Sequence, residues 1–417
     1  MKGSLEYHDQ IVEISLGLSA ILIFRAMIEE TRNKFSIKRF FSITRSYEKL
    51  PSEDLSEDEV ESGSSEDKNA TSTNATRSQV YVPLAILTLL AVSLAAALWA
   101  WPTIKTLPST FGVPINRCSN GNVPTIRREW RTLTEGEQIN YISAIQCLRN
   151  SQSHFFPDRG DISRYMDFVY AHYENLFGMH HAAGFLPWHR WLLALFEQSL
   201  RDECEYEGSM PYWDWSLDWN HPGRSPVFDE TFGFGGDGNP TRESTILNGS
   251  CVTTGPFANM MIPKFPEASP GEEHCLSREF GWKHGAHGDK LRKDFLRGVL
   301  QEATFWNFTR AFERGPHDTI HWYIGGVLPT VYSPAGESTD SIFYLHHGQI
   351  DRLWAIWQKA APGHGTDYAG YYTLNTDAPA RKDDIIPSKD LARNVTVADI
   401  LDIEGDILCY QYDSYNV

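Results

Sequence analysis

The stretch HHAAGFLPWHRW, residues 180–191, places three histidines immediately before a long apolar run. Leu or Phe would satisfy packing at these positions, so each imidazole is either a hydrogen-bonded core residue or a ligand. The run that follows, HRWLLALFEQSLRDE from His189, has helical periodicity and is opened by Pro187. We therefore expect a helix that carries His189 at its start and brings it close to His180.

Other histidine-bearing segments lie on both sides of this stretch. PHDTIHWYIGG contains His317 and His321, whose spacing of four residues places both imidazoles on one face of a helix. A second helix is expected from His346, in HHGQIDRLWAIWQKAA. A third is expected over residues 128–150, REWRTLTEGEQINYISAIQCLRN, with Thr132 or Thr134 as its cap. The histidines form two groups of three: His172, His180 and His189, and then His317, His321 and His347.

The joint occurrence of the two groups indicates metal binding. A single HxxxH pair matches by chance in roughly half of cases, and a lone histidine is more often a core residue. Six imidazoles without a Cys favour copper, although zinc and iron also accept nitrogen ligands. A zinc peptidase would have Glu where this chain has Asp318. Its catalytic zinc would need only three protein ligands, so the second group of three histidines would have no role. Two groups of three histidines therefore predict a dinuclear copper centre.

These motifs, together with YWDWS (212–216) and CYQY (409–412), resemble the tyrosinase and catechol oxidase family of type 3 copper proteins, especially its short fungal forms. The resemblance covers nearly all of residues 115–412. It implies a mainly α fold, in which a four-helix bundle core holds a dinuclear copper site, with long loops and little β structure. It further implies that His172, His180 and His189 hold the first copper, and that His317, His321 and His347 hold the second.

The resemblance also implies roles for two carboxylates. Many family members that act on monophenols have Asn at the position of Asp318, and Glu313 matches a carboxylate that works with that Asn in holding a water. We expect Glu313 and Asp318 to be catalytic, as base or water-orienting groups. The alternative for Asp318 is a helix-capping acid directly after Pro316.

Two tyrosines near the end of the chain match a further family feature. Tyr410 and Tyr412 correspond to a tyrosine pair that closes the core and meets an arginine near the start of the domain. The resemblance leaves Arg127 and Arg128 as candidates for that arginine. The alternative is that both tyrosines are ordinary packing aromatics.

The resemblance implies an oxidoreductase that uses O2 to oxidise phenols or catechols to quinones, by ortho-hydroxylation of a monophenol, by diphenol oxidation, or by both. The expected monophenol is a tyrosine-derived metabolite or a tyrosine-containing peptide. One alternative is a haemocyanin-like protein that binds oxygen without turnover, and another is a copper-free interaction module. A net charge of −17 argues against a nucleic-acid partner.

The first hundred residues differ in composition from the rest. Residues 51–79 begin with an acidic run that is too polar to bury a core, so we expect a disordered tether. Residues 80–101 are uncharged, long enough to cross a bilayer, and flanked by Tyr and Trp, so we expect one transmembrane helix. Residues 1–50 have no clear role, and residues 102–417 form the expected copper domain.

The orientation of this expected span follows from features on either side of it. All six cysteines come after it, an even number that suits a disulfide framework in an oxidising compartment. Glycosylation sequons at Asn248, Asn307 and Asn394 also follow it, whereas those at Asn69 and Asn74 precede it and argue the other way. We expect a single-pass membrane protein whose catalytic domain is lumenal or extracellular. Six cysteines permit 15 connectivities, and the pairing stays open.

Overall fold

A computed structural model of the chain describes residue 118 and residues 123–244, 249–264, 273–282, 287–325, 337–374 and 376–417. Every described residue belongs to one compact unit of the chain. The tether expected at 51–79 and the span expected at 80–101 lie outside the described residues, as do Asn69, Asn74 and Asn248. None of the helices formed by the described residues has the length and apolar character needed to cross a bilayer.

Helices dominate the described part of the chain, so the prediction of a mainly α fold is confirmed. The histidines of the two groups lie on or beside four of these helices. The α-helices are α1 (Glu135–Asn150), α2 (Arg164–Met179), α3 (Phe185–Cys204), α4 (Lys293–Val299), α5 (Phe305–Phe312), α6 (Asp318–Ile324), α7 (Ile342–Ala360) and α8 (Val397–Ile400), with a π-helical turn at Glu313–His317 between α5 and α6.

The β structure is limited to short strands. Strand β1 pairs in parallel with β9 and joins the two ends of the domain, and the other pairs are antiparallel: β2–β3–β6, β4–β5 and β7–β8. The strands are β1 (Thr125–Arg127), β2 (Gly238–Glu243), β3 (Ser250–Val252), β4 (Met261–Ile262), β5 (His274–Cys275), β6 (Ser277–Arg278), β7 (Ile385–Ile386), β8 (Val395–Thr396) and β9 (Tyr410–Tyr412).

Helix α3 is the centre of the domain. Of its 20 residues, 15 are buried, which is the pattern of a helix covered on every side. It packs against α1, α2 and α7. The helix begins at Phe185, two residues before Pro187, where a missing N–H costs nothing because the first turn has no acceptor for it.

The other expected helices differ from the structure mainly at their starts. Helix α1 begins at Glu135, and Thr134 caps it through a reciprocal pair of hydrogen bonds with Glu137. Helix α7 begins at Ile342, four residues before His346. Of the two threonines that the sequence left open, Thr134 is therefore the cap.

A buried polar cluster, centred on Asp351, ties α7 to the ends of the domain. The Asp351 carboxylate accepts hydrogen bonds from the hydroxyls of Tyr410 and Tyr412 and from Arg190. The Arg127 guanidinium lies 3.5 Å from the centroid of the Tyr410 ring and 3.5 Å from an Asp351 oxygen. The arginine that meets the tyrosine pair is therefore Arg127, because β1 pairs with β9 in the register that buries it.

All six cysteines form disulfides, which confirms the expected framework. The pairs are Cys118–Cys409, Cys147–Cys204 and Cys251–Cys275. The first closes the two ends of the domain over a sequence separation of 291 residues, and the second joins the last turns of α1 and α3.

Replacing Cys147 and Cys204 together by serine should lower the free energy of unfolding by about 2–4 kcal/mol, because the disulfide restricts the unfolded chain. Urea unfolding followed by circular dichroism measures this loss. The matched control replaces Cys251 and Cys275, whose separation is 24 residues rather than 57, and its loss should be smaller. An equal or larger loss in the control would contradict the loop-length argument.

Candidate metal centre

The first histidine group lies where α2 ends and α3 begins. His172 lies on α2, His180 directly follows its last residue, and His189 lies near the start of α3. The chain reverses direction between His180 and His189, and the three imidazoles offer ring nitrogens within 4.8 Å of one another. The structure thus brings together the three residues that the sequence assigned to the first group.

Hydrogen bonds fix the orientation of two of these rings. The Nδ1 of His180 lies 3.2 Å from the carbonyl oxygen of Leu176, and the Nδ1 of His189 lies 2.7 Å from that of Phe185. A neutral imidazole that donates from Nδ1 leaves its Nε2 lone pair free. Both Nε2 atoms are buried and have no hydrogen-bond partner among the described residues. The two lone pairs therefore point into the group, as metal ligation requires.

The second group contains four histidines rather than the three expected. His317, His321, His346 and His347 offer ring nitrogens within 4.8 Å of one another, and all four are buried. His317 ends the π-helical turn and His321 follows one turn later on α6, so their Nε2 atoms face each other at 3.0 Å. His346 was not among the expected ligands.

The two groups form one continuous cluster. The rings of His189 and His347 stack at a centroid distance of 4.2 Å with an interplanar angle of 6°. The ring of His317 lies 6.3 Å from that of His180. The spacing suits a pair of metal ions that bind one small molecule between them.

Burial keeps most of these imidazoles neutral. It lowers the pKa of the first-group His180 to about 4, although the nearby Glu313 carboxylate opposes the shift. Burial also lowers the pKa of His172, His189, His321 and His347 well below the usual value, and neighbouring histidines add to the effect. Neutral rings near pH 7 have the lone pairs that copper, zinc or iron would bind.

Glu313 contacts the turn beside the first group, and Asp318 contacts the second group. The Glu313 carboxylate accepts a hydrogen bond from the backbone N–H of His181, at 2.8 and 3.0 Å to its two oxygens. His181 has a left-handed backbone with φ of +57°, and this contact holds the turn that carries His180. The Oδ1 of Asp318 lies 3.0 Å from the Nδ1 of His317 and thus orients that ring.

A small pocket of about 10 Å³ borders the histidine cluster. Its lining includes Leu176, His181 and Trp322 together with the two carboxylates. A larger surface groove, lined by Phe156, Tyr170 and Lys389 among others, contains neither histidine group. The small pocket, by contrast, contacts His180 of the first group and His317 of the second.

The likeness to known proteins agrees with this geometry. The common central domain of tyrosinase matches residues 162–360, a range that contains both histidine groups. A tyrosinase-like protein, phomQ1' of Diaporthe leptostromiformis, is 35% identical to the chain over 346 residues and covers 77% of it, while the chain covers 87% of that relative. The chain belongs to the tyrosinase family.

A second relative and a solved structure also resemble this chain. Tyrosinase ustQ of Aspergillus flavus is 34% identical over 339 residues, covering 80% of this chain and 89% of that relative. The solved structure of a polyphenol oxidase variant from Thermothelomyces thermophila matches this chain with a TM-score of 0.61 and 26% sequence identity. The match covers 72% of this chain and 91% of the oxidase chain. The tyrosinase fold therefore extends over most of the domain.

The tyrosinase family implies a dinuclear copper centre, and the donors present here fit that requirement. Both groups consist entirely of imidazoles, and several of their buried nitrogens have no partner among the described residues. An unpaired polar atom costs free energy in a protein interior unless something binds it. The chemistry of the donors and the lack of hydrogen bonds both indicate metal ligation.

Proposed function

We propose that this chain is a copper-dependent oxidase that uses O2 to convert phenols or catechols to quinones. The observation that carries the proposal is the pair of buried histidine groups that meet where His189 stacks on His347. When bound, a copper pair supplies the two electrons that O2 takes up and the oxidising power that acts on the aromatic ring.

Six histidines are the proposed ligands of the copper ions. We assign the first copper to His172, His180 and His189, and the second to His317, His321 and His347. All six rings are buried. Burial also lowers the pKa of five of them, which supports the assignment: His172, His180, His189, His321 and His347.

Asp318 is proposed to orient the His317 ring towards the second ion. Asp318→Ala removes the acceptor from the Nδ1 of His317, and copper affinity should fall by about 10- to 100-fold. Asp318→Asn is the matched control, because its amide oxygen still accepts that hydrogen bond. Competition with a copper chelator measures both affinities. Equal affinity in the wild type and Asp318→Ala would contradict the orienting role.

Glu313 is proposed as the base that removes the hydroxyl proton of a monophenol. Glu313→Gln keeps an oxygen for the His181 N–H but loses the base, so monophenol oxidation at neutral pH should fall by about 10²- to 10⁴-fold. The rate should partly recover as the pH approaches about 10, where a phenol loses its proton to water. Oxygen uptake against pH measures this. A deficit that is constant with pH would instead indicate that Glu313 only holds the His180 turn.

The proposed substrate is a phenol that approaches the histidine cluster from the small pocket beside Leu176 and Trp322, either a tyrosine-derived metabolite or the tyrosine of a peptide. Oxygen uptake on tyrosine, a tyrosyl peptide, catechol and o-aminophenol tests the substrate class. Quinone formation by protein that contains copper supports the proposal. Bound copper and reversible O2 binding without turnover would instead indicate a haemocyanin-like carrier.

The proposed location is a membrane surface, with residues 102–417 in the lumen or outside the cell. The three disulfides support the oxidising compartment, and the sequon residues Asn307 and Asn394 are exposed. Protease protection of sealed microsomes, with and without detergent, tests this topology. Cleavage of the domain in intact microsomes would contradict it.

A further inference from the structure

Four large apolar side chains form an exposed patch beside the π-helical turn. Leu217 is 49% exposed, Phe295 is 38% exposed, and Trp219 and Trp282 are each 36% exposed. We call these four residues the apolar patch. Single apolar side chains are common on protein surfaces, whereas a group of neighbouring ones indicates a surface that meets a partner.

The four side chains are neighbours in the fold. A Cβ at Gly288 would lie 2.0 Å from the carbonyl oxygen of Trp219 and 3.1 Å from the ring of Trp282, so both tryptophans flank this glycine. Leu217 and Trp219 line one shallow groove together with the start of α4, the helix that carries Phe295. The patch is therefore continuous.

Cationic side chains surround the apolar patch. Residues 288–297 carry four lysines and arginines but only two carboxylates, in a chain whose net charge is −17. The Arg292 guanidinium lies 5.0 Å from the ring centroid of Trp219. The two carboxylates pair with two of the cations, which leaves Lys290 and Lys293 without a carboxylate partner among the described residues. Tryptophan beside lysine and arginine is typical of surfaces that lie among lipid headgroups.

The expected membrane span would keep a bilayer within reach of the domain. The 16 residues between position 101 and Cys118 extend over at most about 60 Å. A folded domain of this length is about 50 Å across. The domain would therefore stay within about its own diameter of the bilayer. At such an effective concentration, a contact that is weak in free solution is enough for docking.

We propose that the apolar patch docks the domain on the headgroup surface of a phospholipid bilayer. The proposal rests on the proposed membrane location and deepens it, because it states which face of the domain meets the membrane. Its apolar side chains enter the headgroup region, and Lys290 and Lys293 pair with lipid phosphates.

Docking through this patch also orients the metal centre. The Phe295 ring packs against Gly315 of the π-helical turn, and the Lys290 ammonium donates a hydrogen bond to the carbonyl oxygen of Arg314 at 3.2 Å. The same turn carries Glu313, which lines the small pocket beside the histidine cluster. The docked domain therefore holds this pocket close to the bilayer.

Quenching by labelled lipid tests the proposal in the full chain. Because all six cysteines are paired, Leu217→Cys adds a single thiol that a bimane fluorophore labels. The chain is reconstituted in nanodiscs of phosphatidylcholine and phosphatidylglycerol, with or without a nitroxide on the lipid headgroup. The nitroxide should lower the fluorescence about twofold or more, since interfacial side chains lie within about 10 Å of the headgroups. Ile385→Cys is the matched control, because Ile385 is 46% exposed on β7, which packs against α3, and its label should change little.

The charge of the patch is tested in the Leu217→Cys chain by Lys290→Gln together with Lys293→Gln. Each cation beside an anionic bilayer contributes about fivefold to binding, so the double change should weaken docking about 30-fold and remove most of the quenching. The Tm should stay at its value in the parent chain, because both side chains lie at the surface. Neither readout depends on copper.

The outcomes separate this docking from the rest of the account. Equally weak quenching at Leu217 and Ile385, in nanodiscs that retain the chain, would overturn the docking and leave the membrane location standing. Blue-shifted emission at Leu217 without quenching by the nitroxide lipid would show a protein on the patch and would also overturn it. A chain that does not stay with the nanodiscs would overturn both the location and the docking, and the copper centre would be unaffected.

Discussion

His189→Asn is expected to abolish quinone formation. The His189 ring directs its free Nε2 into the first group and stacks on His347 of the second, so it is the residue that joins the two. Without it the first ion should be lost, and copper content should fall from about two ions per chain to about one. A single ion cannot reduce O2 by two electrons, and the rate on catechol should fall by about 10³-fold or more.

Oxygen uptake and metal analysis measure the two parts of this result. His364→Asn is the matched control, because it removes an imidazole that contacts Trp357 on α7 but neither group, and it should keep both copper and rate. A His189→Asn protein that retains catechol oxidation within tenfold of the wild type would show that the first group is not part of the centre.

Asp351→Asn should cause the largest loss of stability. The Asp351 carboxylate is buried and balances the charges of Arg127 and Arg190. Removing one partner of a buried ion pair costs about 3–5 kcal/mol, because the Arg190 guanidinium is left in the interior without its carboxylate, whereas Arg127 keeps its ion pair with Glu197. Urea unfolding measures this loss. The matched control is Asp383→Asn, which removes a carboxylate paired with Arg381 on the surface and should change the unfolding free energy little.

The same carboxylate gives the stability a pH dependence. Burial alone would raise the pKa of Asp351, but the charges of Arg190 and Arg127 and the hydroxyls of Tyr410 and Tyr412 lower it below the usual value. A lowered pKa contributes stability above the ordinary range for aspartate, and this contribution disappears as the pH falls below about 4. The wild type should therefore lose stability there more steeply than Asp351→Asn. Parallel pH profiles would contradict this account.

The histidine groups could be predicted because their signal is local. Two histidines four residues apart on a helix, or one on each side of a tight turn, have their rings brought together within a short stretch of sequence. His346 was missed because the family pattern selects one histidine from the adjacent pair. Only the packing of α6 and Trp215 against α7 shows that its ring also meets the second group.

Features that depend on distant parts of the chain could not be predicted. Helix α2 was not expected, because its sequence RYMDFVYAHYENLFGM contains several aromatic residues and a glycine, which have modest or low helix propensity. Its stability comes from burial against α1 and α3. The disulfide pairing and the choice of Arg127 over Arg128 follow from contacts across the domain, such as the β1–β9 pairing.

The contact between Glu313 and His181 could not be predicted from the sequence either. The π-helical turn that contains Glu313 carries Gly315 and Pro316, and the spacing of apolar residues along the chain does not reveal such a turn. The turn directs the Glu313 carboxylate away from its own helix and onto the backbone that follows His180. A pair of residues that lie far apart in the sequence thereby links the two histidine groups.

The proposed function requires two copper ions side by side in one histidine cluster. A comparison of the copper content of the oxidised full chain with the intensity of its Cu(II) electron paramagnetic resonance signal tests this arrangement. We expect about two copper ions per chain with almost no signal, because neighbouring Cu(II) ions bridged by a common ligand couple their spins. A full signal from every bound copper would show isolated ions and would contradict the shared site.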